Sequence, residues 1–461
     1  MIQRVSAGEI ARRSALGLMA VGGAAFACFG PRGAKESAGG RIVLDYWEKW
    51  TGHEGRAMQR VVDDFNASQD RILVRYLVTA GIDQKTLISV AGGDPPDVVG
   101  LWNFNVPLYA ESNAIIPLDE FDSNYAPRLE RYAAGVRPIM TYPDRSGRTR
   151  TWATVNTGGT LALYCNRAAF REVGLDPDRP PRTIEELDEY ARRLDRTGPG
   201  GEIERAGFLH TEPGWWSWIW GYHLGGSLYD RATDRAMAAS PENVRAFEWL
   251  QETSRRLGVD RVVRFQSGFR TAYDSPQNGF LSGKVAMVVQ GPWLANVVNA
   301  HNPGLDYAVA PFPVAAAIYD EHAPIGLIDT DILVIPRGAR HPEASMEFIA
   351  YTQRQDVVEF LSTAHCKNSP LAEASELFLS QHPNRGVRVH SAIAASPRSF
   401  LCPPTRTWPQ FKDEFDASMQ RIWALTRPAA EELHDANARA QALLDRAAAQ
   451  RRRRGHAETS A

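Results

Sequence analysis

The chain has 461 residues, 44% of them hydrophobic, and a formal net charge of −2. A chain of this length and apolar content buries a sizeable core and is expected to divide into two domains or lobes. The balanced charge excludes the global basic field of a nucleic-acid-binding protein, so no nucleic-acid partner is expected, although a local anion site stays open.

At the N-terminus, Arg4, Arg12 and Arg13 precede an apolar stretch from Ala15 to Phe29 that is too short to span a bilayer comfortably. Residues 1–28 therefore read as an export signal. Ala25-Phe26-Ala27 fits an A-x-A cleavage site, and the same residues before Cys28 make a degenerate lipobox with Ala25 in place of the usual Leu. A lipoprotein anchored at Cys28 and a free periplasmic protein are both open, as are Sec export and a twin-arginine route through Arg12-Arg13. No later apolar run is long enough for a transmembrane helix. Beyond Cys28 the cysteines are Cys165, Cys366 and Cys402. An oxidising compartment allows one intramolecular bridge among them, with Cys366–Cys402 the favoured pair because both lie in the C-terminal third; buried free thiols are equally open.

Residues 42–47 read as a strand, Met58, Val61, Val62 and Phe65 recur at helical spacing, and 72–78 read as a second strand, which makes a βαβ unit. A short helix over 83–91 ends before the double proline at 95–96, and Asp97-Val98-Val99 looks like a buried strand. Parallel strands joined by helices imply an α/β sheet covered on both faces. Thr183 with Glu186 starts a capped helix carrying Ile184, Leu187, Ala191 and Leu194 on one stripe, and Ser240-Pro241 opens another. Residues 281–289 turn into a buried strand ending at Gly291-Pro292-Trp293. Ile332 to Ile335 read as a further strand, with a helix from about Pro342. Residues 449–461, including Arg451 to Arg454, read as a disordered, solvated tail.

Five segments stand in a fixed order: Gly93-Asp94-Pro95-Pro96-Asp97-Val98-Val99, Leu118-Asp119-Glu120, Leu163-Tyr164-Cys165-Asn166, Gly225-Gly226-Ser227-Leu228-Tyr229-Asp230 and Gly291-Pro292-Trp293. Together they resemble the extracellular solute-binding proteins, family 1, of sugar ABC importers, the group that includes maltodextrin-binding proteins. The resemblance implies a two-lobed periplasmic-binding-protein fold of type II, a Venus flytrap with discontinuous lobes and a hinge. Lobe one would take 41–154 plus 330–377, and lobe two 155–329 plus 378–461. The first crossing is expected near Ala153 to Thr157, with Thr154 where family members usually carry a proline. The second is expected at Asp329-Thr330-Asp331, in place of a small, Gly-rich sequence. The resemblance also implies a monomeric receptor that loads a carbohydrate and docks on the permease subunits of an importer powered by their ATPase, with no cofactor and no metal.

A sugar offers C–H faces and an edge of hydroxyls, so its site needs aromatic plates with carboxylates, amides and guanidinium groups. Glu48 and Trp50 follow the first strand, beyond whose carboxyl end open α/β sheets bind ligands. Trp102 and Asn105 follow the Asp97-Val98-Val99 strand. Residues 215–220 place four indoles in six positions, Trp215, Trp216, Trp218 and Trp220, which no single helix or strand face can bury together. Trp215 and Trp218 are taken as cleft candidates, with Asn156 at the first crossing and Asp329 at the second. By the resemblance, Trp293 in the Gly-Pro-Trp turn presents its indole to the sugar, and Trp408, with Arg406 nearby, occupies a matching C-terminal position. No His-Glu-x-x-His, Gly-x-Ser-x-Gly or phosphate-cradling Gly-x-x-x-x-Gly-Lys-Ser/Thr occurs, and no carboxylate pair is marked for glycoside hydrolysis. A binder is therefore expected in preference to a carbohydrate-active enzyme. The alternative ligands are a glycerol phosphate ester, a peptide or an anion.

Overall fold

The computed structural model describes residues 40–459, with the backbone alone from 454 onward. The expected export signal at 1–28 and the lipidation candidate Cys28 lie outside the described residues.

Two five-stranded sheets organise the molecule. In the first, Ile42–Glu48 lies between Ile72–Val78 and Val98–Trp102, both parallel to it, with Tyr46 opposite both Tyr76 and Val98. Asp331–Val334 then adds antiparallel to Val98–Trp102, and Thr154–Thr157 closes the far edge, also antiparallel. The sheet is therefore mixed where a parallel one was expected. Strand Asp331–Val334 enters from the other sheet and not through a covering helix, so no right-handed crossover fixes its direction.

Alternation along these strands divides their side chains between two cores. Leu44, Tyr46, Val98 and Leu333 join Met58, Val62 and Phe65 of helix Gly52–Ser68 on one face. Val99, Leu101, Ile332 and Val334 join Tyr109, Met140 and Trp152 on the other. Burial on both faces explains why these strands read as short continuous apolar runs.

The second sheet runs Tyr307–Ala310, Ala162–Asn166, Val285–Gln290, Ile203–Phe208 and Arg196–Thr197 in that order, again with mixed directions. One large core surrounds it, including Tyr164, Phe170, Phe208, Phe247 and Trp408. Helix Ile184–Leu194 begins as read from the sequence, with the Thr183 hydroxyl accepting the Glu186 N–H. Ser240 caps Pro241–Leu257 in the same way. The C-terminal helix Ala429–Thr459 packs against Trp408–Trp423 and Pro241–Leu257. It runs to Thr459, into the segment 449–461 that was expected to be a disordered tail. Arg451 on it reaches Glu111 at 3.2 Å and Asp234 at 2.7 Å.

The chain passes between the sheets at adjacent places. Thr154–Thr157, expected at the crossing itself, belongs to the first sheet, and the chain crosses through Gly158 to Leu161. It returns alongside: Leu161 N–H donates to Leu327 carbonyl at 2.9 Å and Asp329 N–H to Gly159 carbonyl at 2.9 Å. A third segment touches these two where Gly158 N–H donates to Asn368 carbonyl at 2.8 Å. Cys165, Cys366 and Cys402 are free thiols, so the favoured Cys366–Cys402 bridge is absent. Cys366 lies beside Asn299, whose Nδ2 is 3.8 Å from its Sγ, while Cys402 faces the cleft between the sheets.

Candidate functional site

Between the two sheets, beside the crossings, lies a cleft of about 1020 Å³. The first lobe contributes Lys49 and Trp50, which follow strand Ile42–Glu48, and Trp102, Asn103 and Phe104, which follow Val98–Trp102. The second contributes Trp215, Trp216, Tyr273, Trp293 and Trp408, and the crossings supply Asp329, Thr330, Asp331 and Lys367.

The aromatic walls differ in what they present. Trp102 (36% exposed) and Trp215 (42% exposed) are the most exposed indoles of the cleft. Trp102 stacks on Phe104 with centroids 5.9 Å apart and planes within 6°, and Trp215 leans on Tyr273 at 4.7 Å. Trp216 and Trp293 are half-buried, 6.0 Å apart. Trp50, Trp218 and Trp408 are almost fully covered and form the floor, with Trp218 and Trp408 edge to face at 4.9 Å. The four indoles of 215–220 lie in a run of turns leading into the 3₁₀ helix Trp220–Leu224, which lets Trp215 and Trp216 face the cleft while Trp218 and Trp220 are buried. Trp293 reaches its position because Gly291 has no side chain: a Cβ there would meet the indole at 2.3 Å. Tyr164 steadies this turn, its hydroxyl donating to the Gly291 carbonyl at 3.1 Å.

Under the aromatic layer is a compensated charge cluster. Asp331 takes Lys49 on Oδ1 at 2.9 Å and Lys367 on Oδ2 at 2.9 Å. Lys49 also lies 3.2 Å from Glu48, and Lys367 3.4 Å from Glu54. Burial alone would raise the Asp331 carboxyl, but the two ammonium groups outweigh it and hold it well below the usual carboxylate range. Burial likewise opposes the charge of Lys367, and Asp331 and Glu54 reverse this and raise it above the ordinary lysine value. Both ammonium groups lie over indoles: Lys49 over Trp50 and Trp102 at 5.2 and 5.3 Å, Lys367 over Trp50 and Trp293 at 5.4 and 5.9 Å. Among the described residues Asp329 has no such partner. Burial pushes its carboxyl up to about 6, against the pull of the Trp216 indole N–H that donates to Oδ2 at 3.2 Å.

Of the residues singled out from sequence, Trp50, Trp102, Trp215, Trp218, Trp293, Asp329 and Trp408 are brought to the cleft. Four are not. Glu48 is 1% exposed, accepting the Tyr46 hydroxyl at 2.7 Å and pairing with Lys49, because its position on the strand turns it into the sheet core. Asn105 is buried by the turn Asn103–Asn105 and donates to the Trp102 carbonyl at 3.2 Å. Asn156 sits inside the first sheet, accepting from Gln353 Nε2 at 3.2 Å. Arg406 points away, 3.8 Å from Glu111. Sequence reasoning passed over Lys49, Asn103, Tyr273 and Lys367. Asn103 stands two positions from the asparagine chosen, and Lys49 within the quoted Trp47-Glu48-Lys49-Trp50 string. Tyr273 and Lys367 carry no local signal.

Among the described residues no cluster of His, Cys, Asp and Glu is arranged to hold a metal ion.

The comparisons with known proteins agree with this architecture. The family model for bacterial extracellular solute-binding proteins matches residues 49–358. The maltotriose-binding protein of Pyrococcus abyssi is 20% identical over 329 residues, 71% of this chain and 66% of that protein, so the match spans slightly less than two thirds of that relative. The sn-glycerol-3-phosphate-binding periplasmic protein UgpB of Pectobacterium atrosepticum is 21% identical over 449 residues, 89% of this chain and 93% of that one. The solved structure of CpMnBP1 with mannotriose bound superposes with a TM-score of 0.74 at 25% identity, covering 87% of this chain and all of that one, 100%. The fold, the adjacent crossings and the family match over most of the described residues lead to one conclusion: this chain belongs to the bacterial extracellular solute-binding protein family.

Proposed function

We propose that this protein is the extracytoplasmic receptor of an ABC importer and that its cleft captures a neutral saccharide of several sugar units. The observation that carries the proposal is the state of the cations. Each lysine on the cleft already lies against a carboxylate: Lys49 and Lys367 against Asp331 at 2.9 Å, Lys412 against Asp416 at 2.5 Å. Among the described residues no arginine lines the cavity. A phosphate would need several free donors converging on it, and here it would have to displace the buried pairs on Asp331 or compete with Asp416 for the half-exposed Lys412. A sugar needs none of this: its C–H faces suit Trp102, Trp215 and Trp293, and its hydroxyls suit Asp329 and the polar groups beside it. The open volume fits a ligand of several rings. The maltotriose and mannotriose named for two similar proteins are in keeping with this class. The glycerol phosphate named for UgpB is the competing reading.

Binding in this proposal is hinge closure. The ligand touches both lobes only when they close about the adjacent crossings, and its greater affinity for the closed state shifts the population. Closed protein then docks on the permease subunits, whose ATPase drives transport. The protein acts alone as a monomeric binder and not as a catalyst. Its anchoring through Cys28 or release into the periplasm is part of the same proposal.

Thermal unfolding against mannotriose, maltotriose, monosaccharides, sn-glycerol 3-phosphate and peptides tests the class. A ligand at 100 times its dissociation constant adds about 2.7 kcal/mol to stability. An upward shift with trisaccharides and none with glycerol phosphate supports the proposal, and the reverse pattern overturns it.

A further inference from the structure

Among the described residues, three side chains that line the cleft carry a buried polar atom with no hydrogen-bond partner: Thr330 Oγ1, Asn103 Oδ1 and the Tyr273 hydroxyl. Thr330 is 2% exposed and Asn103 is 7% exposed. The two residues are adjacent, the Asn103 N–H donating to the Thr330 carbonyl at 3.2 Å. Thr330 lies on the return crossing, between Asp329, which accepts from the Trp216 indole N–H, and Asp331, which pairs with two lysines. Tyr273 stands on the second lobe, its ring 4.7 Å from Trp215.

A buried polar atom without a partner carries an uncompensated desolvation cost, and the great majority of buried polar atoms in folded proteins avoid it. Three such atoms on residues lining one cavity, shut from solvent in this conformation, are placed for a ligand to supply the missing partner once the lobes move. We infer that Thr330, Asn103 and Tyr273 form the hydroxyl-reading subsite of this cleft and determine which saccharide it accepts, an inference that rests on the saccharide reading above.

The chemistry of the three groups matches the ligand class. A threonine or tyrosine hydroxyl both donates and accepts, and an amide oxygen accepts, which is the complement of a sugar hydroxyl that also does both. An anionic headgroup would find the Asn103 oxygen repulsive. The tryptophan faces contact C–H surfaces and distinguish one hexose from another weakly. Hydroxyl configuration is read by hydrogen bonds, because a wrongly placed hydroxyl leaves the protein groups unpaired. The groups also come from the first lobe, the crossing and the second lobe, so a sugar that satisfies all three rewards closure.

The test uses Thr330→Val and Tyr273→Phe, each of which removes a hydroxyl while keeping the shape. Ligand-free thermal unfolding and calorimetric titrations with mannotriose and maltotriose are measured on each variant and on the wild type. The expected result is an unfolding temperature without ligand that is unchanged or about 1–2 °C higher, since an orphaned group has been deleted. Affinity for the preferred trisaccharide falls at least about tenfold, and the preference between the two trisaccharides narrows. Dissociation constants within twofold of wild type in both variants overturn the inference. A lower unfolding temperature without ligand overturns it as well, because the hydroxyl would then already be satisfied in the free protein. Wild-type silence towards both trisaccharides is a separate outcome, which fells the saccharide reading first and this inference with it.

Discussion

Gly159 and Asp329 touch backbone to backbone where the chain crosses between the sheets: the Asp329 N–H donates to the Gly159 carbonyl at 2.9 Å, and a Cβ on Gly159 would lie 2.0 Å from the Asp329 carbonyl oxygen. The glycine is required by this approach alone. Gly159→Ala is expected to force the crossings apart, destabilising the protein by about 2 kcal/mol or more and displacing the Asp329 carboxyl from the cleft. Gly304→Ala is the control, since a Cβ there meets nothing within 4 Å, and its effect should stay within about 0.5 kcal/mol. Urea unfolding of the pair checks this. Equal midpoints would contradict the close-contact account.

Asp331 is the residue on which the charge cluster depends. Asp331→Asn leaves Lys49 with Glu48 and Lys367 with Glu54, both at longer range, 3.2 and 3.4 Å. Breaking a buried pair in this way costs about 3–5 kcal/mol. Loss of under 1 kcal/mol in chemical denaturation would show that the lysines find water or other partners. Because the folded pKa of Asp331 lies below its unfolded value, its contribution is present above the unfolded pKa and is lost as pH falls through the folded one.

The buried histidines make stability sensitive to mild acid. Burial holds His210, His223 and His390 down at about 3 and His365 at about 4, below the ordinary value of 6.5. Below 6.5 the unfolded chain binds these protons first, so stability present above that pH is lost as pH falls towards the folded values. Each group contributes a slope of about 1.4 kcal/mol per pH unit. Burial raises Asp329 to about 6 and Glu212 to about 7, and for these the folded protein binds protons first, so they act in the opposite sense. Burial also lowers His382 and raises Asp188 and Asp195, so five imidazoles oppose four carboxyls and the net loss is shallow, about 1 kcal/mol per unit between roughly pH 6 and 4.5. Urea midpoints measured across that range should fall steadily. A flat profile would contradict the assignment of these imidazoles as neutral.

The tryptophans should separate by exposure. Trp102→Ala and Trp215→Ala remove open platforms, so saccharide affinity should drop about tenfold while stability changes by less than about 0.5 kcal/mol. Trp218→Ala empties a buried site that packs against Trp408 and should cost about 3–5 kcal/mol of stability. Trp293→Ala lies between, weakening binding strongly and stability slightly. Titration and unfolding on the same four variants check the ordering.

Much of the fold was legible in the sequence because local rules and packing agree there. Ile72–Val78 is a strand over the residues read as one, and Thr183 and Ser240 cap the helices they were expected to cap. Order of motifs carried the two-lobed architecture, which no single segment encodes. The direction of Asp331–Val334 was not legible, since it depends on the chain returning from the other sheet. Site residues were half legible. Exposed indoles near strand ends reached the cleft, but Glu48 and Asn105 turned inward, and the one or two residues that separate inward from outward lie below the resolution of pattern reading. Lys367 pairs with Asp331 across 36 positions, and Arg451 anchors the C-terminal helix to Glu111 across 340. Such partners are fixed by tertiary structure and leave no trace in either neighbourhood.

The central claim is that a cleft with paired cations and open indoles selects a neutral saccharide. Isothermal titration of the mature protein with mannotriose and with sn-glycerol 3-phosphate, in the same buffer, tests it most directly. The account predicts saturable binding of the trisaccharide with a negative heat-capacity change, from apolar faces covering Trp102, Trp215 and Trp293, and no heat from the phosphate ester. Saturable binding of sn-glycerol 3-phosphate with no response to the trisaccharide would contradict it.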